Sequence, residues 1–162
     1  AAEQISQMLA AGFTWFDIGG AGGTNFPAIE AKRFTSQKTV LAEWGLAAAK
    51  TLIEAFSVCN GNNIIIASGG IRDGLTAAKA FALSADAVGM AGNILHYIME
   101  DGVEAAQKAL TEMITDLRMI MLLTGCSNLK ALRKTPLYFT GELRELLGRN
   151  YDIPKISAGR KR

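Results

Sequence analysis

The segment Ser68–Gly74, with the sequence SGGIRDG, combines the residue types that bind an anion. Glycines let the backbone approach a ligand closely. A helix that follows such a turn points its free N–H groups and the positive end of its dipole at the ligand. Arg72 adds a guanidinium that suits a phosphate. The alternative is an ordinary strand-to-helix turn, in which Asp73 caps the helix and Arg72 lies in solvent.

A second glycine turn follows at Val88–Asn93, with the sequence VGMAGN. Two successive turns of this kind, each between a strand and a helix, form the phosphate site after the last two strands of many (β/α)8 barrels. The pair therefore predicts phosphate binding more strongly than either turn alone.

A third glycine-rich segment, Gly19–Asn25 (GGAGGTN), contains the hydroxyl of Thr24. It does not fit a dinucleotide-binding fingerprint, since we expect no helix directly after it, and it lacks the lysine of a Walker loop. Asp17 precedes it on a predicted strand, where a carboxylate is costly unless paired. We expect Asp17 to contact a ligand or to cap backbone amides.

Other reactive residues point to no catalytic group or metal site. His96 is the single histidine, and we expect it to be packed or at the surface. Cys59 and Cys126 are expected to be buried thiols rather than a disulfide. Glu30 and Arg33 are three residues apart and are expected to pair with each other.

Runs of apolar residues predict the elements that position these segments. Strands are expected at Phe13–Ile18, Ile64–Ala67 and Ala87–Met90, the second covered on both faces of the sheet. Helices are expected near Ala1–Ala11, Val40–Phe56, Leu75–Leu83, from Ala91, Val103–Leu123, Leu129–Arg133 and Gly141–Leu147, and the longest is expected to bury Val103, Ala106, Leu110, Met113, Ile114, Leu117 and Met121. This alternation indicates an α/β fold with parallel strands, either doubly wound or part of a barrel.

Composition narrows the class of protein. The chain has 162 residues, of which 49% are hydrophobic, and a net charge of +2. Such a composition excludes a disordered chain and gives no basic surface for nucleic acid. With no secretory signal and no apolar run of membrane-spanning length, a soluble cytoplasmic protein is expected. We expect one domain over residues 1–150 and a basic tail over 151–162.

Taken together, these segments resemble the type 2 isopentenyl-diphosphate isomerases. The glycine-rich stretch FDIGGAGGTNF, followed by Ile29, Glu30 and Arg33, is the more specific part of the likeness. The Ser68–Gly74 and Gly89–Gly92 turns are shared with other flavin-binding barrels. The resemblance implies the C-terminal part of a (β/α)8 TIM barrel, about strands six to eight with their helices.

The resemblance also implies a function. Members of the family interconvert isopentenyl and dimethylallyl diphosphate, using flavin mononucleotide (FMN), Mg²⁺ and NADPH, and a homo-oligomer is expected. Thr24 would contact the flavin, and Gly19 lies where many members have a serine that does so. The FMN phosphate would be held by Gly70, Ile71, Arg72, Ala91 and Gly92.

The family's Mg²⁺-binding glutamate and its substrate-binding residues belong to the first half of a chain about twice as long. We therefore expect a fragment that needs the N-terminal half of the barrel. Two alternatives stay open: another FMN barrel of the 2-hydroxy-acid oxidase or dehydrogenase type, and a non-catalytic half-barrel that binds a separate partner chain. The first would need a histidine before the last phosphate turns, and His96 follows them.

Overall fold

A computed structural model describes residues 1–23, 25–34 and 44–150. Three parallel strands form one sheet in the order β1-β2-β3. They are β1 (Trp15–Ile18), β2 (Ile64–Ala67) and β3 (Ala87–Val88). Eight helices are described, namely α1 (Ala2–Ala10), α2 (Phe26–Phe34), α3 (Ala48–Val58), α4 (Gly74–Ala82), α5 (Gly92–Asp101), α6 (Val103–Leu123), α7 (Leu129–Leu132) and α8 (Gly141–Asn150). The predicted α/β class with parallel strands is confirmed.

The sheet buries one face against helices and leaves the other open among the described residues. Phe16, Ile18 and Ile65 point into the main core, which also contains Ile5 of α1 and Ile53 of α3. Because side chains alternate along a strand, the neighbouring residues of β1 and β2 point to the opposite face.

On that opposite face, Trp15 is 69% exposed, and Ile64 and Ile66 are only half-buried. The prediction that β2 is covered on both faces is therefore wrong for the described residues. A sheet with helices on one face only agrees with a segment of a barrel, whose inner face is filled by its other strands.

A second core joins α4, α6 and α7. Phe81 and Leu132 are buried in it, with Leu117 and Ile120 of α6 packed against them. At Gly74, the first residue of α4, a Cβ would lie 2.6 Å from the backbone nitrogen of Leu117. The two helices therefore approach this closely only because residue 74 is glycine.

The buried face of α6 is narrower than the predicted one. Ala106 is buried, and Met113, Leu117 and Met121 are half-buried, as expected for that face. Val103 and Ile114, however, are 54% and 46% exposed, and Leu110 is also exposed. Ile120, which was not predicted, completes the covered stripe, which packs against α4, α5 and α7.

Two helix boundaries near the glycine segment that follows β1 also differ from expectation. Trp44 and Leu46 precede α3 rather than belong to it, because the carbonyl of Leu46 accepts a hydrogen bond from the Ala21 N–H at 3.0 Å. The earlier part of that predicted helix, residues 40–43, lies outside the described residues.

The second boundary concerns α2, which begins directly after the glycine segment, where no helix was expected. Its signal is Asn25, whose Oδ1 accepts from the Ala28 N–H at 3.0 Å as an N-cap. The expected pair of Glu30 and Arg33 is confirmed on this helix, at 3.5 Å.

Ser84 carries an unfavourable backbone conformation where α4 ends. The Ala85 N–H donates to the Ala80 carbonyl, and the Ser84 N–H donates to that of Phe81. This is a Schellman turn, whose left-handed residue is normally glycine. Here that residue is Ser84, with φ of 72° and a buried hydroxyl that has no partner among the described residues.

We therefore predict that Ser84→Gly raises the free energy of unfolding by about 1 kcal/mol, since it removes both the left-handed strain and the unsatisfied hydroxyl. Ser84→Ala, which keeps the Cβ, is the matched control and should recover only the hydroxyl part. Urea denaturation of the three proteins measures the effect. A glycine variant less stable than the wild type would contradict the interpretation.

Candidate functional site

The three glycine segments meet at the carboxyl edge of the sheet. We call the space between them the three-turn cavity. Its volume is about 620 Å³, within the range of about 300–1,000 Å³ that is usual for ligand pockets. It is lined by Asp17, Gly19, Gly22, Gly23, Phe26, Ser68, Gly69, Gly70, Ile71, Arg72, Gly89, Met90, Ala91, Gly92 and Asn93.

Most of the predicted binding residues therefore come together. Gly19, Gly70, Ile71, Arg72, Ala91 and Gly92 all line the three-turn cavity. Thr24, the remaining predicted flavin contact, lies outside the described residues. The roles of the six cavity-lining residues in binding stay predictions, whereas their shared position in the cavity is an observation.

Glycine is required where the glycine segment after β1 touches the turn after β2. A Cβ on Gly23 would collide with the backbone nitrogen of Gly70 and with Gly69. Gly69 has φ of 73°, and a Cβ there would lie 2.8 Å from the Gly20 nitrogen. Backbone therefore packs on backbone at this point, with no side chain between the two turns.

Ser68 joins the turns around it. Its Oγ donates to Oδ1 of Asp17 at 2.6 Å. A Cβ on Gly19 would lie 3.9 Å from Ser68 Oγ, and one on Gly89 would lie 3.2 Å from Ser68 Cβ. Asp17 is exposed, and its partner here is this hydroxyl rather than the backbone amides that were one expectation. Its contact with a ligand stays a prediction.

At the α4 N-terminus the structure shows what the sequence offered as the alternative, because Asp73 caps the helix and Arg72 is exposed. Asp73 caps it by accepting from the Thr76 N–H at 2.8 Å, and the Thr76 side chain accepts from the Asp73 N–H, which completes a capping box. The hydrogen bond from Thr76 lowers the pKa of the Asp73 carboxyl below its ordinary value. The carboxylate is therefore charged at neutral pH and satisfies the dipole of α4 itself.

The α5 N-terminus is the open one. Its N-cap residue is Ala91, which provides no side-chain cap. The first backbone N–H groups of α5, at Gly92 and Asn93, are therefore left without acceptors inside the helix. Both residues line the three-turn cavity, so the dipole of α5 favours an anion there.

Arg72 is exposed and also lines the cavity. Its backbone N–H donates to the Thr76 hydroxyl at 3.0 Å. Within the described part of the chain its guanidinium forms no ion pair with an acidic side chain. The five donors of the guanidinium therefore stay available for a ligand anion.

Other candidate residues lie apart from this cavity. His96 is exposed on α5, as one of the expected outcomes, and does not line it. Cys59 and Cys126 are free thiols, of which Cys59 is buried and Cys126 only half-buried, contrary to the expectation for the latter.

Within residues 1–23, 25–34 and 44–150, no three His, Cys, Asp or Glu side chains gather as a metal site would need. No described helix has both the length and the apolar character of a membrane span.

Sequence reasoning did not propose Phe26, Ser68 or Asn93 as site residues, although all three line the cavity. Ser68 and Asn93 flank the two glycine turns that were identified, so their positions in those turns were a usable signal. Phe26 follows the first glycine segment, and it faces the cavity because α2 begins there.

Comparison with known proteins supports the family resemblance that the sequence showed. A family model described as FMN-dependent dehydrogenase matches residues 42–138. An isopentenyl-diphosphate delta-isomerase of Geobacillus sp. (strain WCH70) is 38% identical over 96% of this chain and 44% of its own length. One of Moorella thermoacetica is 40% identical over 90% of this chain and 42% of its own. The resemblance found in the sequence is thereby confirmed, and the chain spans less than half the length of these curated relatives.

Solved structures share the fold. A lactate oxidase of Pediococcus acidilactici superposes with a TM-score of 0.68 at 18% identity, covering 87% of this chain and 35% of the oxidase. A mandelate oxidase gives 0.64 at 21% identity, covering 82% and 37%. At such identities the likeness concerns the fold alone, and it agrees with part of a larger structure.

The contact between the glycine segment after β1 and the turn after β2 can be tested with two adjacent glycines, one of which serves as the control. Gly23→Ala should lower the free energy of unfolding by about 1–3 kcal/mol, because the methyl group collides with the Gly69–Gly70 backbone. Gly22→Ala adds a methyl group in open space and should change it by less than about 0.5 kcal/mol. Thermal and urea denaturation of both variants measure the difference. Equal stability of the two would show that the turns do not pack as described.

Proposed function

Because the chain belongs to the FMN-dependent dehydrogenase family, we propose that the three-turn cavity binds FMN. The phosphate lies against the turns after β2 and β3, where it accepts hydrogen bonds from the backbone N–H groups of Gly70, Ile71 and Gly92. Arg72 pairs with it from the rim of the cavity. Ala91 and Gly19 contact the cofactor through backbone, and Thr24 contacts the flavin.

The residues present fit this group. A phosphate needs several hydrogen-bond donors, and the uncapped N-terminus of α5 supplies donors with a favourable dipole. The Gly69–Gly70 turn has left-handed backbone, with φ of 73° and 92°. Successive N–H groups in such a turn form a concave surface for an anion.

We further propose that the protein is an isopentenyl-diphosphate isomerase, which interconverts isopentenyl and dimethylallyl diphosphate. The observation that carries this proposal is the identity of 38% over 96% of the chain with a relative of that name. The oxidases share only the fold, at 18% and 21% identity.

A 2-hydroxy-acid oxidase or dehydrogenase is the second candidate. The family description and the structural likeness to oxidases favour it. His96, however, is exposed on α5 and outside the cavity, so the described residues provide no histidine base of the kind those enzymes need.

The place of this chain in the whole protein is also a proposal. We infer that β1 to β3 are strands six to eight of a (β/α)8 barrel within a domain over residues 1–150, followed by a tail. The open face with Trp15, Ile64 and Ile66 supports it, because that face would be the inside of the barrel. The remaining strands, from the same chain or from a partner, would then cover these residues, and a homo-oligomer is implied by the family.

This chain's part in the reaction is to hold and orient the cofactor. When bound, the reduced flavin supplies proton transfer at the substrate double bond. The backbone N–H groups and Arg72 fix the phosphate end, and the position of the flavin relative to substrate follows from that anchor. Mg²⁺ and NADPH are implied by the resemblance, but the described residues gather no group of His, Cys, Asp or Glu side chains for the metal.

Arg72→Ala should weaken FMN binding about tenfold, the loss expected for one charge-assisted hydrogen-bond partner at an exposed position. Lys79→Ala is the control, because Lys79 is a neighbouring exposed cation on α4 that does not line the cavity. Quenching of flavin fluorescence on titration measures both affinities. Unchanged affinity in the Arg72 variant would remove this residue from the site.

The activity itself is tested on the protein as its gene encodes it, with reduced FMN and Mg²⁺ added. Conversion of isopentenyl diphosphate to dimethylallyl diphosphate is expected, with no oxidation of lactate or mandelate in the presence of oxygen. Oxidation of a 2-hydroxy acid without isomerisation would support the second candidate. Neither activity in a protein that binds FMN would leave a cofactor-binding module.

A further inference from the structure

Asp86 and Arg133 form an ion pair just before β3, at the amino end of the sheet. Arg133 Nη2 lies 2.9 Å from Asp86 Oδ1, and the two side chains are only 17% and 7% exposed. The same guanidinium donates to the Ala85 carbonyl, from Nε at 3.3 Å and from Nη2 at 3.1 Å. Neither residue is among those that line the three-turn cavity. The pair therefore acts on the sheet and not directly on a ligand.

The second carboxylate oxygen of Asp86 binds β2. Oδ2 accepts from the Ile65 N–H at 2.8 Å, and the Asp86 N–H donates to the Ile65 carbonyl at 2.7 Å. In a longer parallel ladder a backbone carbonyl would accept from such an N–H. Here the chain turns at Ser84, with φ of 72°, two residues earlier. The carboxylate of Asp86 thus takes the place of a backbone acceptor.

β3 needs this support because it is only two residues long. Each of its residues pairs with one residue of β2. A slip of one residue would move such a strand about 3.3 Å along its axis and turn its side chains to the opposite face. The two hydrogen bonds between Asp86 and Ile65 oppose such a slip, and Arg133 holds the carboxylate in the orientation that makes them.

The position of β3 decides where the donors proposed for the phosphate lie. Gly92 begins α5 after a short turn from β3, whereas Gly70 and Ile71 follow β2. One phosphate can accept from both groups only while the two strands keep their register. The Gly89 N–H donates to the Ala67 carbonyl at 2.9 Å at the cavity end of β3, and Asp86 fixes the other end.

Arg133 is itself held by the second core. It directly follows α7, in which Leu132 is buried against α4 and α6. Removing either partner of so buried an ion pair leaves the other charge uncompensated. The guanidinium therefore connects the core of α4, α6 and α7 to the start of β3.

We propose that Asp86 and Arg133 are a positioning pair, which fixes β3 against β2 and thereby holds the α5 N-terminus beside the turn after β2. The proposal rests on the proposed function, with FMN as the ligand whose phosphate lies between these two turns. Neither side chain touches the cofactor, and both act through the backbone of β3.

The test compares FMN with riboflavin, which has the flavin but no phosphate. A displaced α5 N-terminus weakens only the ligand that carries the phosphate, whereas a purely structural role changes both affinities alike or changes neither. Both dissociation constants are measured by flavin fluorescence on the protein as its gene encodes it, at a temperature where each variant is folded.

Asp86→Ala should weaken FMN binding about tenfold, which corresponds to about one hydrogen bond to the phosphate, with riboflavin affinity within about twofold of the wild type. Asp86→Asn keeps an oxygen that can accept from the Ile65 N–H, so its loss of FMN affinity should stay within about threefold. Arg133→Lys keeps the charge but loses the planar fork that reaches two acceptors, and should weaken FMN about fivefold.

Ile5→Ala is the control for loss of stability alone. Ile5 is buried in the main core on α1, which packs against α3, and its truncation leaves a cavity that destabilises the fold. This variant should bind FMN and riboflavin in the same ratio as the wild type. If Asp86→Ala does not fold, Arg133→Lys and its comparison with this control decide the question.

Four results would overturn the positioning role. FMN affinity within about twofold of the wild type in the folded variants of Asp86 and Arg133 would do so and leave the proposed function intact. Equal weakening of FMN and riboflavin would show a structural role instead. A selective loss of FMN affinity as large in Ile5→Ala would show general loosening of the fold. A wild-type protein that binds neither flavin would overturn the proposed function together with this inference.

Discussion

The contact between glycine backbones at the carboxyl edge of the sheet is the constraint on which the site depends. Gly23 lies against Gly69 and Gly70, and Gly69 lies against Gly20, with no room for a Cβ at the points of contact. Because no side chains separate these turns, residues of both turns line one cavity. The turn after β3 lies beside the turn after β2 because β2 and β3 are paired in parallel. Fold and site are thus linked through backbone geometry rather than through a catalytic side chain.

The N-termini of α4 and α5 differ in charge, and only that of α5 is left open for an anion. Asp73 neutralises the dipole of α4 with its own carboxylate. The corresponding end of α5 has no such cap. Two helices that both follow glycine turns therefore differ in what they can bind, and the difference comes from one residue at each N-cap. The carboxylate of Asp17 lies on β1, at the other side of the sheet from α5, so the cavity carries negative charge at that side.

Sequence patterns predicted the strands and most helices because apolar runs and turn residues are local signals. The bounds of α6, for example, agree with those expected from its spacing.

Sequence patterns failed to predict the features that contacts between distant parts of the chain determine. Trp44 and Leu46 have helix-forming neighbours, but Leu46 is bound to Ala21 of a remote turn. The apolar face of α6 was assigned too broadly, because its sequence does not show which part of that face the neighbouring helices cover. Likewise, Gly70, Arg72 and Gly92 were predicted from their turns, whereas the hydrogen bond between Asp17 and Ser68 joins residues 51 positions apart and has no local signal.

The central claim is that the phosphate of FMN lies between the turns after β2 and β3, at the uncapped end of α5. A crystal structure of the protein with FMN tests it most directly. We expect phosphate oxygens within hydrogen-bond distance of the backbone nitrogens of Ile71 and Gly92, with the rest of the cofactor extending over β1. A phosphate bound beside Asp17, or FMN bound outside the three-turn cavity, would contradict it.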